Sequence, residues 1–384
     1  MKIDMIVGGR FNAPPMAAAL ARLSDLKVYS SIPASYWPGA ERCIRFIPHM
    51  SILYEKVSRR LPGRHFKDKS THFFSKLSSI VMRDDTDVLY AWATFGREAM
   101  LKARKLECNT ILDRACPHIY FQEELLMEES ELLGVSFSKS AVSFVERCVE
   151  EYNLADIIVV PSNYTKRSFL EKGFSESSLR LISLGPNFKP KQEYKPKLRK
   201  KSDSFTVGVV AGSLLRKGLL YLIDAWNGLN LPNAKLKLKC SVAELNKSPS
   251  LWHKINSNPT IEIVGYMKDL ENIYRSCELF CLPSVDDGFG MVVFEAIACG
   301  CPVLVTHNVG AADIVIDGET GYIVNARSSS SLSEKLQELY NDCEKLASMS
   351  RSCAQFYKSY LNSPAAFDNQ VRSLVTHIEI QRSK

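Results

Sequence analysis

Twice along this chain short apolar runs alternate with stretches of helical period, and one segment between the two series has neither. Residues 2–7, 88–91, 110–112 and 157–160 read as strands, and residues 13–24, 98–105 and 165–171 as helices, with a long helical region over residues 119–152. Proline and lysine dominate residues 186–204, where no apolar period survives, so this stretch reads as a linker. Strands then resume at residues 205–211, 236–240, 261–264, 279–282 and 303–305, with helices at 219–229, 334–346 and 365–380. Such alternation buries itself as parallel strands covered by helices, an α/β architecture. A chain of 384 residues is too long for one ordinary core and fits two. The expected plan is a Rossmann-like domain over residues 1–186, a linker over 187–204 and a second Rossmann-like domain over 205–360. A terminal helix within 361–384 is expected to pack back towards the first domain. In open α/β sheets ligands sit at the carboxyl ends of the strands, so the cleft between the domains is the expected site.

Composition narrows the class. Hydrophobic residues make up 46% and charged residues 24%, as in a soluble globular protein, and no apolar run is long enough to span a membrane. The first residues, Met1-Lys2-Ile3-Asp4-Met5-Ile6-Val7, carry Asp4 within their apolar run and read as a strand, not a signal peptide. The expected location is cytoplasmic, with peripheral contact at the inner face of the membrane. The eleven cysteines show no repeated spacing. Cys277/Cys281 and Cys299/Cys301 match no zinc template and read as buried free thiols.

The net charge of +7 is unevenly spread. Residues 55–83 hold Lys56, Arg59, Arg60, Arg64, Lys67, Lys69, Lys76 and Arg83 against Glu55 and Asp68, with Phe66, Phe73 and Phe74 interleaved. One reading is a solvated helical face. The other is a surface resting on anionic lipid headgroups. No nucleic-acid-binding module accompanies the charge, and no nucleic-acid partner is expected.

Chemistry concentrates in the second half. Pro283-Ser284-Val285-Asp286-Asp287-Gly288-Phe289-Gly290-Met291 joins an apolar strand to a glycine loop and then to a helix carrying Glu295 on its second turn. Such a loop offers backbone N–H groups and a positive helix end to an anion or a hydroxyl. With Asp287 and Glu295 flanking it, a ligand bearing both phosphate and many hydroxyls is suited, such as a nucleotide sugar. Earlier, a strand ends at Gly212 and a short loop carries adjacent cations, Arg216 and Lys217, before a helix. Cations fixed there can neutralise a diphosphate. Gly265, followed by Tyr266, ends a further strand, where a missing side chain lets a flat ring approach the backbone.

Two other patterns point away from alternative chemistry. Asp85-Thr86-Asp87 fits a short metal-nucleotide pattern, but it lies at the amino end of a strand and reads as a polar turn. No metal and no cofactor is expected. Ser162 and Thr165 read as a helix start, without a nucleophile elbow, which argues against hydrolase chemistry.

These residues in this order resemble the retaining glycosyltransferases of family 4. The resemblance runs through Gly212, Arg216-Lys217-Gly218, Gly265, Pro283-Ser284, Asp287-Gly288-Phe289-Gly290 and Glu295-Ala296-Ile297-Ala298-Cys299-Gly300-Cys301-Pro302-Val303. It continues through Gly310, Asp313-Ile314-Val315 and Asp317-Gly318-Glu319-Thr320-Gly321-Tyr322-Ile323-Val324. In the first half it is thinner: Gly8-Gly9, His118, Glu151-Tyr152, Ala155-Asp156 and Val159-Val160-Pro161-Ser162. Two positions depart from the family pattern. Asp287 stands where a glutamate is usual, and Ser213 where an arginine is common, with Arg216 able to supply that guanidinium.

The resemblance implies a GT-B fold, two Rossmann-like domains whose parallel sheets face an interdomain cleft. It implies a metal-independent hexosyltransferase that retains anomeric configuration by front-face substitution. The donor would be a UDP or GDP sugar and the acceptor a glycan or lipid-linked glycan of surface polysaccharide assembly. Glu295 would bind ribose hydroxyls. Asp287 and the N–H groups from Gly288, Phe289, Gly290 and Met291 would hold the donor sugar. Arg216 and Lys217 would stabilise the departing diphosphate, Gly8 and Gly9 would approach its phosphates, and His118 would lie near the sugar. A sugar-nucleotide epimerase, a phosphorylase and a non-catalytic nucleotide-sugar-binding protein share the same architecture and stand as alternatives.

Overall fold

The computed structural model describes residues 1–9, 11–47, 64–137, 139–140, 142–183, 188–195, 203–265, 267, 269–361 and 365–382. Its strands form two wholly parallel sheets. The first has seven strands in the order β3-β2-β1-β4-β5-β6-β7. These are β1 (Lys2–Val7), β2 (Asp25–Ser30), β3 (Ile44–Phe46), β4 (Val88–Trp92), β5 (Asn109–Asp113), β6 (Ile157–Val160) and β7 (Leu179–Leu181). The second has six, β10-β9-β8-β11-β12-β13. They are β8 (Phe205–Val210), β9 (Ala234–Lys239), β10 (Ile261–Val264), β11 (Leu279–Leu282), β12 (Val303–Thr306) and β13 (Gly321–Val324). Strand order reverses at β1/β4 in one sheet and at β8/β11 in the other. At such a reversal the two neighbouring loops run to opposite faces and leave a crevice at the strands' carboxyl ends.

Each sheet is buried on both faces, which is why β4, β6, β8, β11 and β12 read as unbroken apolar runs instead of alternating ones. One face of the second sheet packs Val207, Val209, Leu236 and Leu238 against Leu222, Ile223 and Trp226. The other packs Phe280, Leu282 and Val303 against Val293, Ala296 and Ile297. The C-terminal helix Ala365–Arg382 belongs to the first domain's core: Val371, Leu374, Val375 and Ile378 join Ile3, Met5 and Leu20. Arg382 reaches Asp87, and Asp368 accepts from Arg22, both in the first domain.

Several elements differ from the sequence reading. The helical region expected over 119–152 is two helices, Ile119–Leu133 and Val142–Leu154. Gly134, at φ 62°, ends the first with a left-handed cap that a side chain would strain. The helix expected at 334–346 straddles a break, because Ser329–Asn341 and Cys343–Leu361 are separate. β2, β3, β7 and β13 carry charged or polar residues or are very short, so no apolar run announces them. Within the linker stretch, Lys191 and Gln192 donate backbone N–H groups to Glu271, and the Tyr194 ring lies over Gly300, so this part is fastened to the second domain.

The basic stretch is less uniform than expected. Residues 55–63 lie outside the described residues, and so do the side chains of 64–70 on the helix Arg64–Val81. Phe74 is fully buried, and Arg83 turns inward to pair with the buried Asp4 at 2.7 Å. Phe73 and Lys76 face solvent. In the Asp85-Thr86-Asp87 turn, Asp85 pairs with Lys2, while Asp87 accepts from the Lys2 backbone and from Arg382. No group of three or more His, Cys, Asp or Glu side chains that could hold a metal occurs among the described residues. The described cysteines are all free thiols.

Candidate active site

At the switch point of the second sheet, β8 and β11 run side by side, with Leu279 paired to Val207. Their following loops are stitched together. The N–H groups of Val285 and Asp286 donate to the Arg216 carbonyl at 3.0 and 3.3 Å. Gly218, at φ 60°, begins the helix Leu219–Gly228, and a Cβ there would come within 1.9 Å of the Pro283 carbonyl oxygen. Only glycine permits that approach.

This stitching sets two adjacent cations beside two adjacent acids. Arg216 Nε donates to Asp286 Oδ2 at 2.8 Å, and Lys217 Nζ pairs with Asp287 Oδ2. Burial works against the Arg216 charge, and the Asp286 carboxylate more than restores it, so its pKa is raised. The terminal Nη groups of Arg216 have no hydrogen-bond partner among the described residues.

The loop from Asp287 onward is anchored on its far side to the loop after β12. Asp287 N donates to the Asn308 carbonyl at 3.1 Å, and Gly310 N donates to the Asp287 carbonyl at 2.9 Å. Gly290, at φ 84°, leads into the helix Met291–Ala298. The N–H groups of Gly288, Phe289, Gly290 and Met291 have no partner among the described residues, so they present a row of donors at the helix start. The Phe289 side chain itself belongs to the core with Val293 and Val309, and so only its backbone is available to the loop. Gly212 and Gly265 are exposed, with open space where a side chain would stand. Tyr266 lies outside the described residues.

Glu295 sits one turn into that helix and accepts a hydrogen bond from the Tyr274 hydroxyl at 2.7 Å. Burial pushes the Glu295 pKa up, and the Tyr274 hydrogen bond opposes the rise. Tyr274 lies on the helix Glu271–Ser276, with its ring edge-on to Phe280. It holds one oxygen of Glu295 and leaves the other without a hydrogen-bond partner among the described residues.

The first domain closes directly on the glycine loop. Ser162 and Thr165 donate to the Gly288 carbonyl at 2.6 and 3.1 Å. A Cβ at Gly288 would come within 2.1 Å of the Ala115 carbonyl oxygen. Asn163 N donates to Asp313 at 2.7 Å, and Arg167 donates to Asn308 at 3.0 Å. Further along the seam, Tyr221 donates to Glu129 at 2.9 Å, and Arg327 pairs with Glu128 at 2.7 Å. A helix start was legible here with Asn163 or Ser162 as its cap, and it is Ser162 that accepts from Thr165 N. The second bond of Ser162, to Gly288, left no trace in the sequence.

The remaining first-domain residues are placed less directly. Gly8 is buried beneath the Phe95 ring, which would lie 2.0 Å from any Cβ, while Gly9 is half-buried beside Phe11. His118 caps the helix Ile119–Leu133, where Nδ1 accepts from Tyr120 N at 3.3 Å. It is buried among Tyr152, Phe169 and Phe174. Burial, then the positive charges of Arg114 and Lys172, pull its pKa down to about 4, so it is neutral at physiological pH. Among the described residues, the hydrogen-bond and ring partners of His118 all belong to the first domain. The structure therefore sets Arg216, Lys217, Asp287 and the glycine loop together, with Glu295 on the helix that follows the loop, and buries His118 within the first domain.

The sequence model of the family described as Glycosyl transferases group 1 matches residues 190–355, most of the second domain. The chain is 25% identical over 217 residues to the capsular polysaccharide biosynthesis glycosyltransferase CapM of Staphylococcus aureus, covering 53% of this chain and 57% of that one. It is 27% identical over 201 residues to a D-inositol 3-phosphate glycosyltransferase of Paenarthrobacter aurescens, covering 48% and 49%. The chain thus spans about half the length of these relatives. Over nearly its whole length it superposes on Anabaena HepE solved with UDP, at TM-score 0.66 and 16% identity, covering 98% of this chain and all of that one. Sucrose-phosphate synthase from Thermosynechococcus elongatus gives TM-score 0.69 at 16% identity, covering 99% and 100%. The fold is GT-B: two Rossmann-like domains facing a cleft.

Proposed function

We propose that the chain is a retaining, metal-independent glycosyltransferase. It moves a hexose from a UDP or GDP sugar to a glycan or lipid-linked glycan acceptor in surface polysaccharide biosynthesis. The observation that carries this reading is the stitched pair of loops, which sets Arg216, Lys217 and a row of free N–H groups beside Glu295. Anabaena HepE, of the same fold, is solved with UDP, and the relative CapM is a capsular polysaccharide biosynthesis glycosyltransferase, which supports the donor and acceptor classes.

In this account the donor's diphosphate lies against the loop after β8. Its nucleoside reaches Glu295, whose free oxygen accepts from ribose hydroxyls. The hexose rests on the N–H groups of the glycine loop and on Asp287. As the bond from the anomeric carbon to the phosphate oxygen breaks, negative charge grows on the diphosphate. The Arg216 Nη groups and the Lys217 ammonium meet it there, the electrostatic demand that dominates such a reaction. The acceptor hydroxyl attacks from the same face and gives its proton to the leaving phosphate oxygen. Neither carboxylate is then a covalent nucleophile. The neutral His118 side chain forms part of the first-domain wall on the hexose side.

Peripheral attachment to anionic lipid through residues 55–83 rests, among described side chains, on exposed Phe73 and Lys76. Replacing Arg59, Arg60 and Arg64 by glutamine should reduce sedimentation with phosphatidylglycerol vesicles, and unchanged sedimentation would remove this part of the proposal.

The reaction is tested by incubating purified protein with a panel of UDP and GDP hexoses in EDTA. Transfer, or slow donor hydrolysis without acceptor, with both lost in Glu295→Ala, supports the reading. Epimerised donor without acceptor, or turnover that needs inorganic phosphate, would replace it with one of the sister activities.

A further inference from the structure

One acidic residue beside the proposed donor site has no role in the reaction just described. Asp286 is fully buried, and its carboxylate is shared across the cleft. From the second domain, Arg216 Nε donates to Oδ2 at 2.8 Å. From the first, Gln122 Nε2 donates to the same oxygen at 2.6 Å, and the Tyr164 hydroxyl donates to Oδ1 at 3.1 Å. Gln122 lies on the helix that His118 caps, and Tyr164 on the helix Asn163–Glu171 that Ser162 caps.

A buried carboxylate is tolerated only when its acceptor sites are filled, and here partners on both domains fill them. With the first domain withdrawn, Asp286 would lose Gln122 and Tyr164 and keep Arg216 alone. With the domains together, Gln122 and Tyr164 complete the set of donors that fixes the Asp286 carboxylate, which holds Arg216 by its Nε and leaves the Nη groups without a partner among the described residues. Those groups are suited to two oxygens of a diphosphate.

We propose that Asp286 is a positioning residue that couples domain closure to the aim of Arg216. It touches neither donor nor acceptor and acts through the guanidinium it holds. The inference rests on the nucleotide-sugar reading of the neighbouring loops. It adds that donor-phosphate recognition in this chain depends on an acid outside the Asp287/Glu295 pair, and that two first-domain residues which meet no ligand tie the aim of Arg216 during the reaction to closure of the cleft.

A double-mutant cycle tests it, with titrations of UDP and GDP as probes and kcat on the responsive donor. Asp286→Asn and Arg216→Lys should each weaken binding of the preferred nucleotide about tenfold, the value of one charge-assisted hydrogen bond. The double variant should be no weaker than Arg216→Lys alone, because the acid has nothing left to aim. Tyr164→Phe combined with Gln122→Met spares the Arg216 pair. It should lower kcat while leaving nucleotide affinity unchanged, a split that a general loss of stability would not produce. Additive effects in the cycle, or wild-type affinity and kcat in Asp286→Asn, would overturn the proposal. A wild-type protein that binds neither UDP nor GDP would sink the nucleotide-sugar reading and this inference together, whereas a binding wild type with an additive cycle sinks this inference alone. Should Asp286→Asn fail to fold, the Tyr164/Gln122 variant decides, since wild-type kcat there rules out coupling through the seam.

Discussion

Lys217, on the loop after β8, is ion-paired with Asp287, on the loop after β11, and both side chains are largely shielded from solvent. The pair lies at the sheet's switch point, where the fold leaves a crevice. In a shielded setting an ammonium acts strongly on any nearby phosphate, and a carboxylate that keeps it in place pre-sets its direction. Lys217→Met should therefore lower kcat by about 100-fold, the usual scale for removing one donor aimed at developing charge. Steady-state assays with a saturating donor would check this. A loss confined to KM would assign Lys217 to binding alone.

Glu295 depends on Tyr274. Tyr274→Phe removes the hydroxyl that fixes one carboxylate oxygen and leaves the ring in its packing against Phe280. The donor KM should rise about tenfold, as for a hydrogen bond to a charged group, with kcat changed far less. Glu295→Gln should exceed that effect, because it removes the acceptor itself.

Closure of the cleft is limited by Gly288. A methyl group there would overlap the Ala115 carbonyl, only 2.1 Å from the ideal Cβ. Gly288→Ala should hold the domains apart, seen as a larger radius of gyration by small-angle scattering in the presence of nucleotide. Transfer should fall by more than about tenfold, because reacting groups displaced by roughly an ångström lose their alignment. An unchanged radius with full activity would show that the seam is not part of the working state.

His118 gives a pH signature. Its pKa is lowered to about 4 in the fold from an ordinary value of about 6.5. Between those values the unfolded chain holds the proton and the folded chain does not, so the histidine's contribution to stability is complete above pH 6.5 and is lost as pH falls towards 4. The loss is on the order of 3 kcal/mol at most. Two buried acids act in the opposite sense. Burial lifts Asp113 and Glu151 to about 7, so their contribution is present at low pH and fades as pH rises towards neutrality. Comparing urea midpoints of wild type and His118→Asn at pH 7 and pH 5 cancels those acids, since asparagine keeps the cap. The wild type should lose more stability than the variant on acidification.

Much of this arrangement was legible in the sequence because glycine, proline and unbroken apolar runs have few interpretations. β4, β6, β8 and β11 stood out as buried strands, and Gly212, Gly265 and Gly288–Gly290 marked loops at strand ends. Adjacent cations at 216–217 and adjacent acids at 286–287 were visible, but not that they pair one to one, since this depends on β8 and β11 becoming neighbours. Asp286 was passed over beside Asp287 for that reason. Tyr274 and Gln122 were missed because a lone polar side chain on an amphipathic helix carries no sign of what it meets. Phe74 and Arg83 misled in the other direction, as members of a charged aromatic stretch whose side chains turn inward to Phe95 and Asp4.

The central claim is that the two stitched loops and Glu295 form one nucleotide-diphosphate site. Calorimetric titration of UDP and GDP, with EDTA present, into wild type, Lys217→Met and Glu295→Ala tests it most directly. The account predicts binding of at least one nucleotide by the wild type, weakened about tenfold or more in each variant. Absence of binding by the wild type, or equal affinity in all three proteins, would contradict it.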